Sequence, residues 1–207
     1  MNYILDWITG NWIETVGAIL TLLFLFLEVA RKWTMWIVGI ISALFYVYIN
    51  YNVQLYALSG LSVVNFGVSI YGVYCWKFAK TKKMEELPFT FIDRKLTLQL
   101  IGISIILFTI IAFVLLKFTD IPNPLSGRGA FFSFTLDNLI TTLSIVGVWM
   151  AAKKIVESWC IWMFIDPLNV VLYAYKEMIP SVILYTIYSI FAIIGYLQWR
   201  KIAIQQQ

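Results

Sequence analysis

Seven apolar stretches, each close to the ~20 residues that an α-helix needs to cross ~30 Å of hydrocarbon, follow one another along the chain. None of them shows the strict alternation of a barrel strand. An unpaired backbone in lipid is too costly for any structure other than a helix or a closed barrel. The sequence therefore predicts seven membrane-spanning helices in an all-α fold. They cover residues 11–30, 34–51, 55–77, 97–117, 131–152, 157–175 and 179–200.

Few charged residues are available to cover a soluble surface. Of 207 residues, 61% are hydrophobic and 13% are charged, which is the composition of a membrane protein. The chain has no His, so His-based catalysis, proton relays and metal ligation are excluded. We recognise no nucleophile–base pair, metal-binding cluster or phosphate-binding loop. The sequence therefore predicts neither an enzyme nor a protein that binds a metal or a cofactor.

The basic residues are distributed unevenly between the two sides of the predicted membrane. If the N-terminus lies outside, twelve of the fifteen Lys and Arg residues fall on the cytoplasmic side. Cytoplasmic loops carry such an excess of positive charge, and the expected partner for it is anionic lipid rather than nucleic acid. We therefore predict an outside N-terminus and a cytoplasmic C-terminus. The twelve residues are Arg31, Lys32, Lys77, Lys80, Lys82, Lys83, Arg94, Lys95, Lys153, Lys154, Arg200 and Lys201.

Two motifs occur twice. Trp-x-x-Trp begins at Trp33 and at Trp159, 126 residues apart, and Gly-x-x-x-Trp followed by a basic residue begins at Gly72 and at Gly195, 123 residues apart. Repeats offset by an even number of helices cross the membrane in the same direction. The pattern predicts two parallel three-helix repeats joined by a central helix, a 3+1+3 arrangement. The bundles are residues 11–77 and 131–201, and residues 78–130 hold a cytoplasmic linker, the central helix and an outer loop.

The second half carries most of the polar chemistry. Its sixth helix places Trp159, Trp162, Asp166, Asn169 and Tyr173 on one face, at spacings of three and four residues. The same alignment puts Ile40, Ala43 and Val47 of the second helix opposite Asp166, Asn169 and Tyr173. In the seventh helix, Tyr185 and Tyr188 stand opposite Ser62 and Asn65 of the third. The second half is therefore expected to supply chemistry and the first half mainly shape.

Asp166 is the ionisable residue near the middle of a predicted span. A carboxylate at that depth costs roughly 2.5–3.5 kcal/mol on insertion scales, so we expect it to face a wet cavity or a partner. No Lys or Arg lies at the same depth. Pro167 removes an N–H and is expected to disfavour helical geometry at Asp166. Asp137 lies early in its predicted helix. The sequence leaves two roles for it, a helix cap or a functional residue.

Other positions have a simpler structural explanation. Small residues such as Ser69, Gly72 and Gly195 suit close packing of helices. Trp76 and Trp199 end their helices beside basic residues, which predicts an interfacial aromatic belt. Trp36, one turn deeper, is less easily explained as a belt residue.

Several sequence elements are characteristic of one family. They are Glu157-Ser-Trp159-Cys-Ile-Trp162-Met-Phe-Ile-Asp166, Val170-Val-Leu-Tyr173, Gly195-Tyr-Leu-Gln-Trp199-Arg200, Tyr71-Gly72-Val-Tyr-Cys-Trp76, and Asp137 before a Leu-Ser-Ile run. Together they resemble the PnuC family of vitamin-precursor transporters along all seven helices. The resemblance implies a fold similar to that of the SWEET sugar carriers, a bacterial inner membrane and a trimeric homo-oligomer. It implies uptake of nicotinamide riboside, or of thiamine in some members, by facilitated diffusion, with trapping by intracellular phosphorylation.

The resemblance also implies where the substrate binds. Trp159, Trp162, Asp166, Tyr173 and Tyr185 match family positions around the substrate. Both vitamins are flat heteroaromatic cations, which suit aromatic faces and a carboxylate. The complete set of candidate substrate-binding residues is Asp166, Trp162, Trp159, Asn169, Tyr185, Tyr188, Asn65, Ser62, Tyr173 and Trp36.

Two positions depart from the family pattern. Ser62 stands where many nicotinamide riboside carriers have Gln, and Asp166 stands where several members have Asn. Thiamine therefore stays open as the substrate. An ion-coupled carrier that uses Asp166 as its cation site also stays open.

Overall fold

The computed structural model describes residues 12–52, 56–79, 87–118, 127–175 and 179–206. Within these ranges the predicted all-α fold of seven helices is confirmed. Residues 80–86 of the predicted linker and 119–126 of the predicted outer loop lie outside them. The helices are α1 (Trp12–Val29), α2 (Met35–Asn52), α3 (Tyr56–Val73), α4 (Arg94–Phe118), α5 (Arg128–Ala152), α6 (Ser158–Tyr175) and α7 (Ile179–Gln205).

Three helices in the described ranges are long and apolar enough to cross a membrane. They are α4 over Arg94–Lys117, α5, and α7 over Val182–Gln205. Large apolar side chains such as Leu98, Ile105 and Phe113 of α4 are exposed, which is the arrangement of a helix that faces lipid. That each of the seven helices crosses the membrane stays a prediction.

The chain divides into two compact units. The first is Met1–Tyr74, which contains α1 to α3, and the second is Cys75–Gln207, which contains α4 to α7. Between α3 and α4, the helical path widens into a π-helical turn at Tyr74–Phe78, where a plain helix to residue 77 was predicted. Cys75 and Trp76 of that turn are buried within the second unit.

The last helical turns of α1 and α5 have the same geometry. Arg31 has φ 58° and Lys154 has φ 57°, so both lie in the left-handed region. The amide of the next residue reaches back five positions in each case, Lys32 N–H to the Leu27 carbonyl and Ile155 N–H to the Met150 carbonyl. These are the bonds of a Schellman cap, which satisfies the free carbonyls at a helix C-terminus. Arg31 and Lys154 are 123 residues apart.

Each unit also contains a tryptophan whose indole packs directly on the last helix of a helix pair at a glycine. The Trp36 indole lies against Gly72 and brings α2 and α3 together. The Trp159 indole lies against Gly195, where an added methyl group would approach the ring to 2.5 Å, and brings α6 and α7 together. Trp36 and Trp159 are also 123 residues apart. We call these two contacts the Trp–Gly joints.

The joints correct the alignment that the Trp-x-x-Trp motif suggested. That motif paired Trp33 with Trp159, but Trp33 lies in the turn before α2, whereas Trp159 lies inside α6. Trp36 makes the equivalent contact, and α2 and α6 begin 123 residues apart, at Met35 and Ser158. At the 123-residue spacing of the joints, Asp166, Asn169 and Tyr173 align with Ala43, Tyr46 and Asn50 rather than with Ile40, Ala43 and Val47.

Helix α6 continues through Pro167. The expectation that Pro167 disturbs helical geometry at Asp166 is therefore wrong. A proline removes one backbone hydrogen bond, here the one to the Met163 carbonyl, but the rest of the helix is held by its apolar face. Ile165 and Leu172 on that face are buried in a cluster with α5 residues.

Candidate functional site

The polar stripe of α6 is buried in the second unit. Asp166 is 3% exposed and Asn169 is 5% exposed. Helix α6 carries no Lys or Arg, and among the described residues no basic side chain forms an ion pair with Asp166. A buried carboxylate without a cation is costly, and it is a functional candidate where lipid surrounds the protein.

Three tyrosines lie close together between α6 and α7, on the side of Asp166 toward the end of α6. The rings of Tyr173 and Tyr185 stack with their centroids 5.2 Å apart and an interplanar angle of 8°. A hydrogen bond joins their hydroxyl groups. Tyr188 meets Tyr185 edge-on, with the centroids 5.7 Å apart. We call these residues the tyrosine cluster.

Two carboxylates lie near the tyrosine cluster. Asp166 is close to Tyr185, and Asp137 of α5 is close to Tyr173. Asp137 is exposed, whereas Asp166 is buried. Electron-rich rings beside negative charge attract an organic cation, and a desolvated cation–π contact contributes ~0.5–2 kcal/mol.

Four aromatic side chains gather on the other side of Asp166. Trp199 is at the centre, with ring centroids 5.6 Å from Trp76, 4.9 Å from Phe89 and 5.4 Å from Trp159. We call this the basic-end cluster, because Lys153, Lys154, Arg200 and Lys201 lie in the same part of the second unit. Trp159 and Asp166 are seven residues apart, or ~10 Å along the helix.

The basic-end cluster corrects the prediction of an interfacial belt. Trp76 is 5% exposed and Trp199 is fully buried, so neither faces the surroundings as a belt residue does. The reason is that residues 87–93, which precede α4, fold over them and contribute Phe89. The Trp76 indole also donates a hydrogen bond to the Ala151 carbonyl at 3.1 Å.

Trp162 lies between the two clusters. Its ring packs on α5 at Gly147, where an added methyl group would approach it to 3.3 Å. The indole N–H groups of Trp159 and Trp162 are buried and have no hydrogen-bond acceptor among the described residues. Such donors can pair with a polar group of a ligand.

The first unit holds the remaining candidates. Trp36 is fully buried in its Trp–Gly joint, which gives it a packing role. Ser62 is buried and Asn65, one turn along α3, is exposed. Their assignment to a substrate site stays a prediction.

Two buried polar residues of α5 were missed by the sequence reading. Asn138 is fully buried and donates to the Phe108 carbonyl of α4 at 3.1 Å. Its amide oxygen and the hydroxyl of Thr142 have no partner among the described residues. The available signal was their spacing of four residues, which places both on one face of α5. Lys154 and Phe89 of the basic-end region were also missed.

The fold and the site define an all-α membrane protein with a buried carboxylate between two aromatic clusters. Among the described residues, no group of His, Cys, Asp and Glu side chains could hold a metal ion. The chain matches the family model for nicotinamide mononucleotide transporters over residues 11–201. It therefore belongs to this family, which includes the PnuC transporters.

Three similar proteins support this assignment. The nicotinamide riboside transporter PnuC of Escherichia coli (strain K12) is 27% identical over 91% of this chain and 85% of its own length. That of Neisseria mucosa is 22% identical over 93% of this chain and 73% of its own length. A crystal structure of the vitamin B3 transporter PnuC has a TM-score of 0.74 and 20% identity, and the match covers 100% of this chain and 88% of that one. The last match shows that the fold is shared.

Proposed function

We propose that this protein imports nicotinamide riboside by facilitated diffusion, with phosphorylation inside the cell trapping the product. The relatives that match most of the chain are named for this substrate. We place the protein in the bacterial inner membrane, as two parallel three-helix repeats in a 3+1+3 arrangement. The common 123-residue spacing of the Schellman caps and of the Trp–Gly joints supports this arrangement.

One observation carries the choice of ligand class. Asp166 is a buried carboxylate between two aromatic clusters, without an ion pair among the described residues. A cationic heteroaromatic ring satisfies both features, because its charge pairs with the carboxylate and its face stacks on tyrosine. Asn169 and the two indole N–H groups supply hydrogen bonds for a carboxamide or for ribose hydroxyls.

Thiamine is the second candidate, and Ser62 and Asp166 favour it. The Ser62 side chain is too short to replace a Gln that donates to and accepts from a carboxamide at once. A carboxylate also accepts a hydrogen bond from the exocyclic amine of an aminopyrimidine better than an amide does. The family and the relatives place nicotinamide riboside first.

Uptake into sealed vesicles tests the function. Vesicles that contain the purified protein are given labelled nicotinamide riboside or labelled thiamine, with and without proton and sodium gradients. We expect saturable uptake of nicotinamide riboside to the external concentration, unchanged by either gradient. Accumulation above that concentration, abolished by an ionophore, would establish the ion-coupled carrier. Uptake of thiamine alone would reverse the order of the two substrates.

A further inference from the structure

Residues 87–93 are attached at three positions, Phe89, Thr90 and Ile92, to two parts of the second unit. Thr90 bridges to Ile155: its amide donates to the Lys154 carbonyl at 3.1 Å and its carbonyl accepts from Val156 at 3.0 Å. The Ile92 amide donates to the Glu157 carboxylate at 2.9 Å. The Phe89 amide donates to the side chain of Gln206, beyond the end of α7, at 2.8 Å. This short segment therefore joins the α5–α6 turn to the C-terminal part of the chain.

A buried cation lies under the segment. Lys154 is 5% exposed, and its ammonium lies 5.1 Å from the centroid of the Trp76 ring and 5.4 Å from that of Phe89. The Schellman cap holds Lys154 in the left-handed region, which aims its side chain by backbone geometry. The ammonium thus links the π-helical turn, the segment 87–93 and the α5–α6 turn.

The segment covers one end of the polar stripe. Asp166 is followed toward this end by Trp162 and Trp159, and Trp159 packs on Trp199, which in turn packs on Phe89. A ligand that leaves Asp166 toward the basic end therefore meets Trp159 and then this segment. The π-helical turn beside it is an irregular element of a kind that is frequent at functional sites.

We propose that residues 87–93 form a lid over the basic end of the second unit, and that the Lys154 ammonium on the rings of Trp76 and Phe89 is the latch that keeps the lid closed. The lid opens when the ammonium leaves the rings, and substrate passes at that moment. This step rests on the proposed transport function. The latch itself is a property of the fold and is measured without any substrate.

The native cysteines provide a substrate-free test. Cys75 is buried beside Trp76, whereas Cys160 is exposed. In a Cys160→Ser protein, we expect a maleimide to label Cys75 slowly. Lys154→Met should raise the rate about tenfold, the change that the loss of a desolvated cation–π contact produces. Lys154→Arg should restore slow labelling, because arginine keeps the positive charge on the rings. Lys201→Met is the control and should leave labelling slow, because this substitution removes a positive charge from an exposed lysine nearby.

A reversible cross-link tests the movement of the lid. In a Cys75→Ser/Cys160→Ser protein, Thr90→Cys and Ile155→Cys place two thiols across the bridge. Oxidation should block uptake, reduction should restore it, and the reduced protein shows that the variant is folded. Undiminished uptake by the cross-linked protein, or equal Cys75 labelling in Lys154→Met and the parent, would overturn the proposal. Failure of all variants and the parent to transport nicotinamide riboside would refute the proposed function, while the labelling rates still decide the latch.

Discussion

At the scale of single residues, Asp166 has the most demanding position in the second unit. Its carboxylate is buried in an apolar helix without an ion pair among the described residues, and the tyrosine cluster lies beside it. Without a ligand this burial costs free energy of folding, because it removes water from a charged group. A cationic ligand converts the cost into binding energy. Under the proposed function, the burial of Asp166 therefore favours a cation over a neutral analogue.

Asp166→Ala should abolish tight binding of the cationic vitamin and leave the fold intact. Loss of one partner of a buried charge pair costs about 2–5 kcal/mol, which weakens binding by at least ~30-fold. Asp166→Asn should lose less, since it keeps the shape and one hydrogen-bond acceptor. Isothermal titration calorimetry with nicotinamide riboside measures both. Asp93→Asn is the matched control, because it removes an exposed carboxylate at the start of α4 and keeps a good helix-capping residue. Unchanged binding by a folded Asp166→Ala protein would place the substrate elsewhere.

Tyr185 should contribute through its ring more than through its hydroxyl. Tyr185→Phe keeps the stack on Tyr173 and removes the hydrogen bond between the hydroxyls, so binding should weaken by about 1 kcal/mol or less. Tyr185→Ala removes the ring and should cost a further ~0.5–2 kcal/mol from the cation–π contact. Titration of the two variants gives the difference. Equal losses for Phe and Ala would show that the ring does not face the ligand.

At the scale of elements, the Trp–Gly joints decide how closely paired helices approach. An indole lies where a side chain would otherwise project, so α6 and α7 meet at Gly195 with the ring against the helix backbone. The same contact joins α2 and α3 at Gly72. Both glycines are helical with ordinary φ, so what they provide is space rather than conformational freedom.

Gly195→Ala should destabilise the protein, because its methyl group would lie 2.5 Å from the Trp159 ring. Overpacking of this kind costs about 1–3 kcal/mol. Gly102→Ala in α4 is the matched control: nothing lies within 4 Å of its added methyl group, and alanine is the better helix former. Thermal unfolding in detergent compares the two variants. A Gly195→Ala protein as stable as Gly102→Ala would mean that the helices separate at no cost.

The positions of the helices could be predicted from the sequence, but their register could not. Long apolar runs determine where a helix forms, and each predicted run contains one. The predicted register between the two halves was wrong because the two Trp-x-x-Trp motifs are identical in sequence but differ in structure. Trp33 lies in a turn, whereas Trp159 lies in a helix. The prediction that Trp76 and Trp199 form an interfacial belt was wrong for another reason. Their burial depends on residues 87–93, which are distant in sequence from Trp199 and which the sequence predicted to be part of a linker.

At the scale of the whole molecule, the distribution of basic residues is the observation from which the orientation in the membrane is predicted. Twelve of fifteen Lys and Arg residues fall on one predicted side, and they include the residues beside the basic-end cluster. The structure adds a qualification for Lys154. This residue is buried against aromatic rings, so it serves the fold rather than the lipid surface.

A C-terminal label tests the orientation. In a Cys75→Ser/Cys160→Ser protein, a cysteine appended after Gln207 should resist an impermeant maleimide in intact cells and react after permeabilisation. A cysteine inserted after Asn2 should react in intact cells. Labelling of the C-terminal cysteine from outside would refute the predicted orientation or the number of crossings.

The Trp–Gly joint also bears on how such a chain arose. Both halves possess the joint, at the same spacing, but the chemistry around it differs: Asp166 stands opposite Ala43, and Tyr185 stands opposite Ser62. For a chain built by duplication, the shared feature belongs to the ancestor and the differing one came later. Under the proposed repeat arrangement, the contact that pairs the helices is therefore older than the proposed binding chemistry of the second half.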